Sequence, residues 1–175
     1  MPALEVNYNK RSGAMKGDFY RPAGDMELQK CLSLVLPENP LANLLGLKVV
    51  EFGPGRSVVQ LKVLPKHLNP WKTLHGGVYA AMADLAMGTA VRTTGKQAVT
   101  LNLQVGYLRP VQPGQVVVCQ GMVIHDGDQI VVTEAKMVVD ERPVATAGGI
   151  FYVKQETGTS ITGAFRGGEF KVSIE

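Results

Sequence analysis

The chain has 175 residues, 45% of them hydrophobic, with 18 basic against 15 acidic side chains and a formal charge of +3. That length suits one domain with a proper core, and the composition is that of a folded protein rather than a disordered one. No run of Lys and Arg interleaved with aromatics marks a nucleic-acid surface, and no 18-residue apolar run marks a membrane span.

Residues 1–24 are polar, Gly-containing and aperiodic, and read as a loose leader. The first 25 residues carry charges of both signs and no apolar h-region, so no secretory signal is expected, and a soluble, reducing, cytoplasmic setting is the default. Residues 26–36 fit a helix, with Leu28, Cys31, Leu32 and Val35 at helical spacing and Pro37 closing it. Residues 40–45 fit a short helical turn ended by Gly46. Residues 47–52 and 56–64 read as two strands joined by Gly53-Pro54-Gly55. The loop 65–74 leads into a strongly apolar helix from His75 to Val91. Four strands follow, at 98–108, 115–124, 129–139 and 143–153, separated by short turn-rich segments that favour antiparallel neighbours. Beyond Lys154 the chain is rich in Gly, Ser and Thr, and fraying is expected.

The organisation expected is therefore a leader over 1–37, a domain over 38–154 and a tail over 155–175. The helix is apolar nearly all round, so it must be surrounded, and one strongly curved antiparallel sheet would do this. The fold class is α+β.

Asp84 is the one charge inside that helix. An isolated carboxylate costs several kcal/mol or more to bury unless it is hydrogen-bonded, paired or protonated. Gly77, Ala80, Ala81 and Gly88 lie one turn either side of it, so a large group can approach its face. Asp84 is either a structurally satisfied carboxylate or a nucleophile or general base at a pocket. His75 stands near the N-cap, with Gly76 and Gly77 as the first helical residues. Bare first-turn amides at the positive end of the helix suit a carbonyl oxygen that becomes an oxyanion, although glycines there also allow tight packing under a strand. Seven to eight residues separate these glycines from Asp84, about 11–12 Å along the axis. One reacting carbonyl cannot touch both within one chain, so a shared site requires two copies of the helix and a two-fold dimer.

The run Asn69-Pro70-Trp71-Lys72-Thr73-Leu74-His75-Gly76-Gly77, followed by Asp84, resembles the signature of hotdog-fold acyl-CoA thioesterases of the phenylacetate-degradation type. So do Leu44-Leu45-Gly46-Leu47, Gly53-Pro54-Gly55-Arg56, Thr100, and Tyr107-Leu108-Arg109-Pro110 with Gly114; the likeness spans roughly residues 40–153. The resemblance implies a curved antiparallel sheet around one central helix, dimerised edge to edge and often as a dimer of dimers. It implies hydrolysis of a thioester, with coenzyme A as part of substrate and product rather than a cofactor. By position Asp84 is the nucleophile or the base that activates water, and the partner chain's helix start polarises the carbonyl. Asn69 and His75 orient the carbonyl, water or leaving thiolate, and the Thr100 hydroxyl helps hold the water.

Two positions depart from the family pattern. Lys72 stands where glycine is usual, and Asp128 where a basic residue is common, which bears on phosphate contacts with coenzyme A and leaves room for another thioester carrier. Lys72, Arg92 and Arg109 are candidates to compensate. Trp71, Tyr79, Met82 and Met87 are expected to set the depth of the acyl pocket. His67 and His125 read as turn or surface residues, and Cys31 and Cys119 as thiols outside any disulfide framework or zinc site. No metal site, membrane partner or nucleic-acid partner is expected. An acyl-CoA thioesterase is the leading function; a non-catalytic acyl-CoA binding or sensor module on the same fold is the alternative, and a hydratase or dehydratase a third.

Overall fold

The computed structural model describes residues 39–156; the expected helix at 26–36, the leader and the tail beyond residue 156 lie outside them. The first element is a short helix α1 (Pro40–Leu45), capped by the Asn39 side chain accepting from the Ala42 N–H at 3.0 Å. Gly46 ends it at φ 71, a left-handed conformation that glycine takes without steric cost. Six strands follow: β1 (Lys48–Gly53), β2 (Arg56–Lys62), β3 (Lys96–Tyr107), β4 (Val116–Asp126), β5 (Ile130–Val139) and β6 (Arg142–Glu156). Between β2 and β3 lie a single 3-10 turn (Pro65–His67) and the long helix α2 (Gly76–Arg92).

All six strands form one antiparallel sheet in the order β1-β2-β4-β5-β6-β3. Helix α2 lies across it and touches every strand. Its inward face, with Met82, Ala83, Ala86, Met87 and Ala90 fully buried, meets Val59, Leu61, Val117, Cys119, Val131 and Met137. Burying a methionine of this kind contributes about 1.5–3 kcal/mol. At Gly121 on β4 the helix comes so close that a Cβ would lie 2.5 Å from the Ala86 carbonyl carbon. Beside it, Ser57 Oγ donates to the Ala86 carbonyl oxygen at 2.6 Å. The fold is the α+β arrangement expected, one sheet curved around one helix.

One connection departs from the short-turn rule. β4, β5 and β6 form a meander, but β3 and β4 are not neighbours: β3 pairs with β6 at the far edge, and β4 pairs with β2. Segment 108–115 instead crosses beneath the start of α2, where Leu74 N–H donates to the Val111 carbonyl and Val111 is fully buried. The reason is steric: the helix fills the concave face, so strands on either side of it join around its end. The crossing leaves β3 as an edge strand with Val99, Leu101 and Tyr107 exposed.

Candidate active site

Asp84 lies mid-helix on the α2 face that is not covered. Gly77 is exposed, and Ala80, Ala81, Asp84 and Gly88 are half-buried. As expected, this face is open to a large group, and the reason is that β3, the strand on this side, is the last in its sheet. β3 has an irregular register between Thr100 and Asn102, and such bulges re-aim side chains. Thr100 Oγ1 donates to Asp84 Oδ1 at 2.6 Å, the length of a hydroxyl bonded to a charged carboxylate. Asp84 and Thr100, from different elements, are thus brought together at the open edge of the sheet.

The helix start is built by His75. Its backbone is extended (φ −67, ψ 137) and its Nδ1 accepts from the Gly77 N–H at 2.9 Å. A neutral imidazole accepting at Nδ1 holds its proton on Nε2, so the outer nitrogen is a donor. The Val78 and Tyr79 N–H groups both donate to the His75 carbonyl. Of the two amides expected as oxyanion donors, then, Gly77's is engaged by its own chain's cap. Gly76's is the first-turn amide without an acceptor among the described residues.

Asn69 organises the approach loop. Its Oδ1 accepts from the Trp71 and Thr73 N–H groups at 3.0 and 3.1 Å, and its Nδ2 donates to Thr73 Oγ1 at 2.9 Å. The side chain expected to orient substrate spends most of its capacity on its own loop, as Asx turns do. This loop holds Lys72 at φ 64, a left-handed conformation that disfavours any side chain and explains glycine as the family's usual residue. Trp71 is 80% exposed, so within the described chain it walls no pocket.

Three of the expected acyl-pocket residues sit elsewhere. Met82 and Met87 are fully buried and Tyr79 nearly so, because positions 79, 82, 83, 86 and 87 pack into the core. Burial raises the Tyr79 pKa above the usual phenol range, with Tyr107 adding to it. The two rings meet edge to face with centroids 5.5 Å apart, and Tyr107 Oη donates to the Gly76 carbonyl at 3.1 Å. Arg109 is exposed and donates from Nη1 to the Pro143 carbonyl at 2.5 Å. Cys119 is a free, buried thiol whose pKa burial pushes up to about 12, so it is no nucleophile at neutral pH. Among the described residues no group of three or more His, Cys, Asp or Glu side chains is placed to hold a metal ion, and no helix is long and apolar enough to cross a membrane.

This geometry can be set beside known proteins. The thioesterase superfamily profile matches residues 72–146, from the approach loop through to β6. The acyl-coenzyme A thioesterase PaaI of Escherichia coli K12 is 30% identical over 97 residues, covering 55% of this chain and 69% of that protein. The crystal structure of the TT0310 protein from Thermus thermophilus superposes with a TM-score of 0.64 at 32% identity, over 66% of this chain and 98% of that one. The chain belongs to the thioesterase superfamily. Within it, the chain falls in the hotdog-fold family of phenylacetate-degradation type, to which acyl-CoA thioesterases belong, and is a thioester hydrolase. A thioesterase from Streptococcus pneumoniae TIGR4, solved with coenzyme A, superposes with a TM-score of 0.61 at 26% identity, over 63% of this chain and 90% of that one. Alanine variants of that protein have also been solved, replacing an aspartate and a threonine that lie 16 residues apart.

For this thioesterase, two contributors to the region escaped the sequence reading. Thr73 closes the Asn69 loop, and Tyr107 braces the Gly76 carbonyl from β3. The Thr73 contact carried a local signal, a hydroxyl four residues after an asparagine. The Tyr107 contact spans 31 residues and follows only from topology.

Proposed function

We propose that this thioesterase cleaves an acyl-CoA to a carboxylic acid and free coenzyme A, with Asp84 as base or nucleophile and a site shared between two subunits. The observation that carries the proposal is the Thr100–Asp84 bond at the open sheet edge. It fixes one carboxylate oxygen and leaves the other with no protein partner among the described residues, facing the side from which a substrate arrives. As a base, Asp84 takes a proton from water as the water oxygen adds to the thioester carbon; the C–S bond then breaks, and the thiolate recovers the proton. As a nucleophile, its oxygen bonds to the carbon directly, the thiolate leaves, and water opens the resulting anhydride. Thiolate is a fair leaving group, so neither route needs a strong general acid.

The Gly76 amide lies eight positions, about 12 Å, from Asp84 along the same helix. The oxyanion donor for a given Asp84 is therefore assigned to the partner's helix start, in a homodimer joined along β3; a dimer of dimers is compatible with this. Support comes from the coenzyme A complex of the Streptococcus relative. The aspartate–threonine spacing chosen for alanine replacement there is also the separation of Asp84 and Thr100.

The test is thiol release from short, medium and aromatic acyl-CoAs by wild type and Asp84→Asn. The variant is expected to lose about 10²–10⁴-fold in kcat, the usual contribution of a general base. Undiminished hydrolysis by Asp84→Asn would overturn the assignment, and tight acyl-CoA binding without turnover by wild type would favour a binding module.

A further inference from the structure

At the α2 N-terminal end of the molecule a cleft of about 410 Å³ opens between the β3–β4 crossing and the β5–β6 hairpin. Arg109 and Arg142 line it, with Gln115 as a neutral polar group and Asp140 as the one anion. Arg142 opens β6, and the turn before it holds Asp140 and Glu141 at φ 47 and φ 63. Such a two-residue turn favours Asn and Gly, so this one carries two acidic residues under backbone strain. From the crossing segment Arg109 reaches over to the Pro143 carbonyl, next to Arg142, and one such bond leaves most of a guanidinium's five donors unspent.

The cleft is tied to the helix start on which the oxyanion assignment rests. The Leu108 and Arg109 N–H groups donate to the Val144 carbonyl, and Tyr79 Oη donates to the Arg109 carbonyl at 3.4 Å. Tyr79 in turn packs on Tyr107, which holds the Gly76 carbonyl. Tyr79 and Tyr107 thus connect the wall of the cleft to the helix start at which the thioester carbonyl is proposed to bind. Two guanidiniums around one concavity suit phosphate, which each can grip through two parallel N–H bonds.

We infer that the Arg109–Arg142 cleft binds a phosphate of the thioester carrier and makes Arg142 a determinant of carrier specificity. The inference rests on the acyl-thioester proposal above. The shared chemistry is a phosphate ester, supplied either by the nucleotide end of coenzyme A or by the single phosphate of a phosphopantetheine arm. Asp140 opposes the ligand, so the cleft's affinity is set by two cations against one anion.

Calorimetry on the full chain with coenzyme A, 4′-phosphopantetheine and pantetheine separates the possibilities. Arg142→Gln is expected to lower the ratio of coenzyme A to pantetheine affinity about tenfold, the size of one lost charge-assisted hydrogen bond. Asp140→Asn is expected to raise that ratio, and asparagine tolerates the turn's left-handed backbone. Phosphopantetheine matching coenzyme A, with the same sensitivity to Arg142→Gln, would place the single arm phosphate in the cleft; a response confined to coenzyme A would place the nucleotide phosphates there. An unchanged ratio in both variants would overturn the inference. Thiol release from acyl-CoAs by wild type is followed alongside. Its absence counts against the acyl-CoA proposal, while the calorimetric ratios still decide the cleft.

Discussion

At the scale of single residues, the proposed chemistry rests on a carboxylate kept reachable and aimed. Thr100 does the aiming through one short bond, so Thr100→Val is expected to lower kcat about 10–100-fold, with Thr100→Ser recovering most of it. Steady-state kinetics on one good acyl-CoA substrate checks this, and a Thr100→Val enzyme at wild-type rate would remove Thr100 from the site. His67 carries a different prediction. It is 1% exposed and its Nδ1 accepts from the Leu64 N–H at 3.0 Å. Burial lowers its pKa from 6.5 more than the Leu45 carbonyl raises it, and Lys66 pushes the same way as burial. The unfolded chain therefore takes up this proton before the folded one does. Stability from this group is full above about pH 6.5 and is lost as pH falls toward the lowered folded value. Urea midpoints at pH 7.5 and 5.5 should separate more for wild type than for His67→Gln; equal separations would contradict the prediction. Asp84 was legible as a lone charge in an apolar helix. Its partner Thr100 was legible only through the family resemblance, because a contact between helix and edge strand depends on which strand ends the sheet. His67 read as a turn or surface residue; it does sit at a turn, but it is buried, with the Leu45 carbonyl at the end of α1 beside it.

At the scale of elements, α2 and β4 are fitted backbone to backbone. Gly121→Ala would put a methyl 2.5 Å from main-chain atoms of Ala86, which cannot rotate aside. A loss of at least about 1–3 kcal/mol is expected, the range for overpacking a tight core, measurable by urea unfolding. A loss below about 0.5 kcal/mol would mean that helix and strand are less tightly seated. The periodicity of α2 and the alternation of the strands placed most elements within two or three residues of their observed bounds. What the sequence did not reveal was the β3–β4 crossing: loop length alone favours a hairpin, and only the bulk of the helix between the two strands forces the chain around its end. The same blindness assigned Tyr79, Met82 and Met87 to a pocket, since a helix apolar on almost every face does not show which stripe the sheet leaves open.

For the whole molecule, the proposed site is split along the open face of α2. The carboxylate stands mid-helix at an unpaired sheet edge, and the free first-turn amide stands about two turns away. An exposed, twelve-residue edge strand invites pairing with another chain, and a two-fold pairing along β3 would supply each carboxylate with a partner's helix start. The most direct test mixes two inactive variants. Asp84→Asn removes the carboxylate. Gly76→Pro removes the first-turn N–H at a helix position that suits proline, after a residue already extended at φ −67, ψ 137; its Cβ would lie 3.1 Å from Tyr107 Oη, so the Tyr107 side chain must shift slightly. Co-refolded in equal amounts, the two should regain about a quarter of wild-type activity, because half of the random dimers are mixed and each of those has one intact site. No recovery, with mixed dimers confirmed by mass, would mean that carboxylate and amide act within one chain, and the shared site would be wrong.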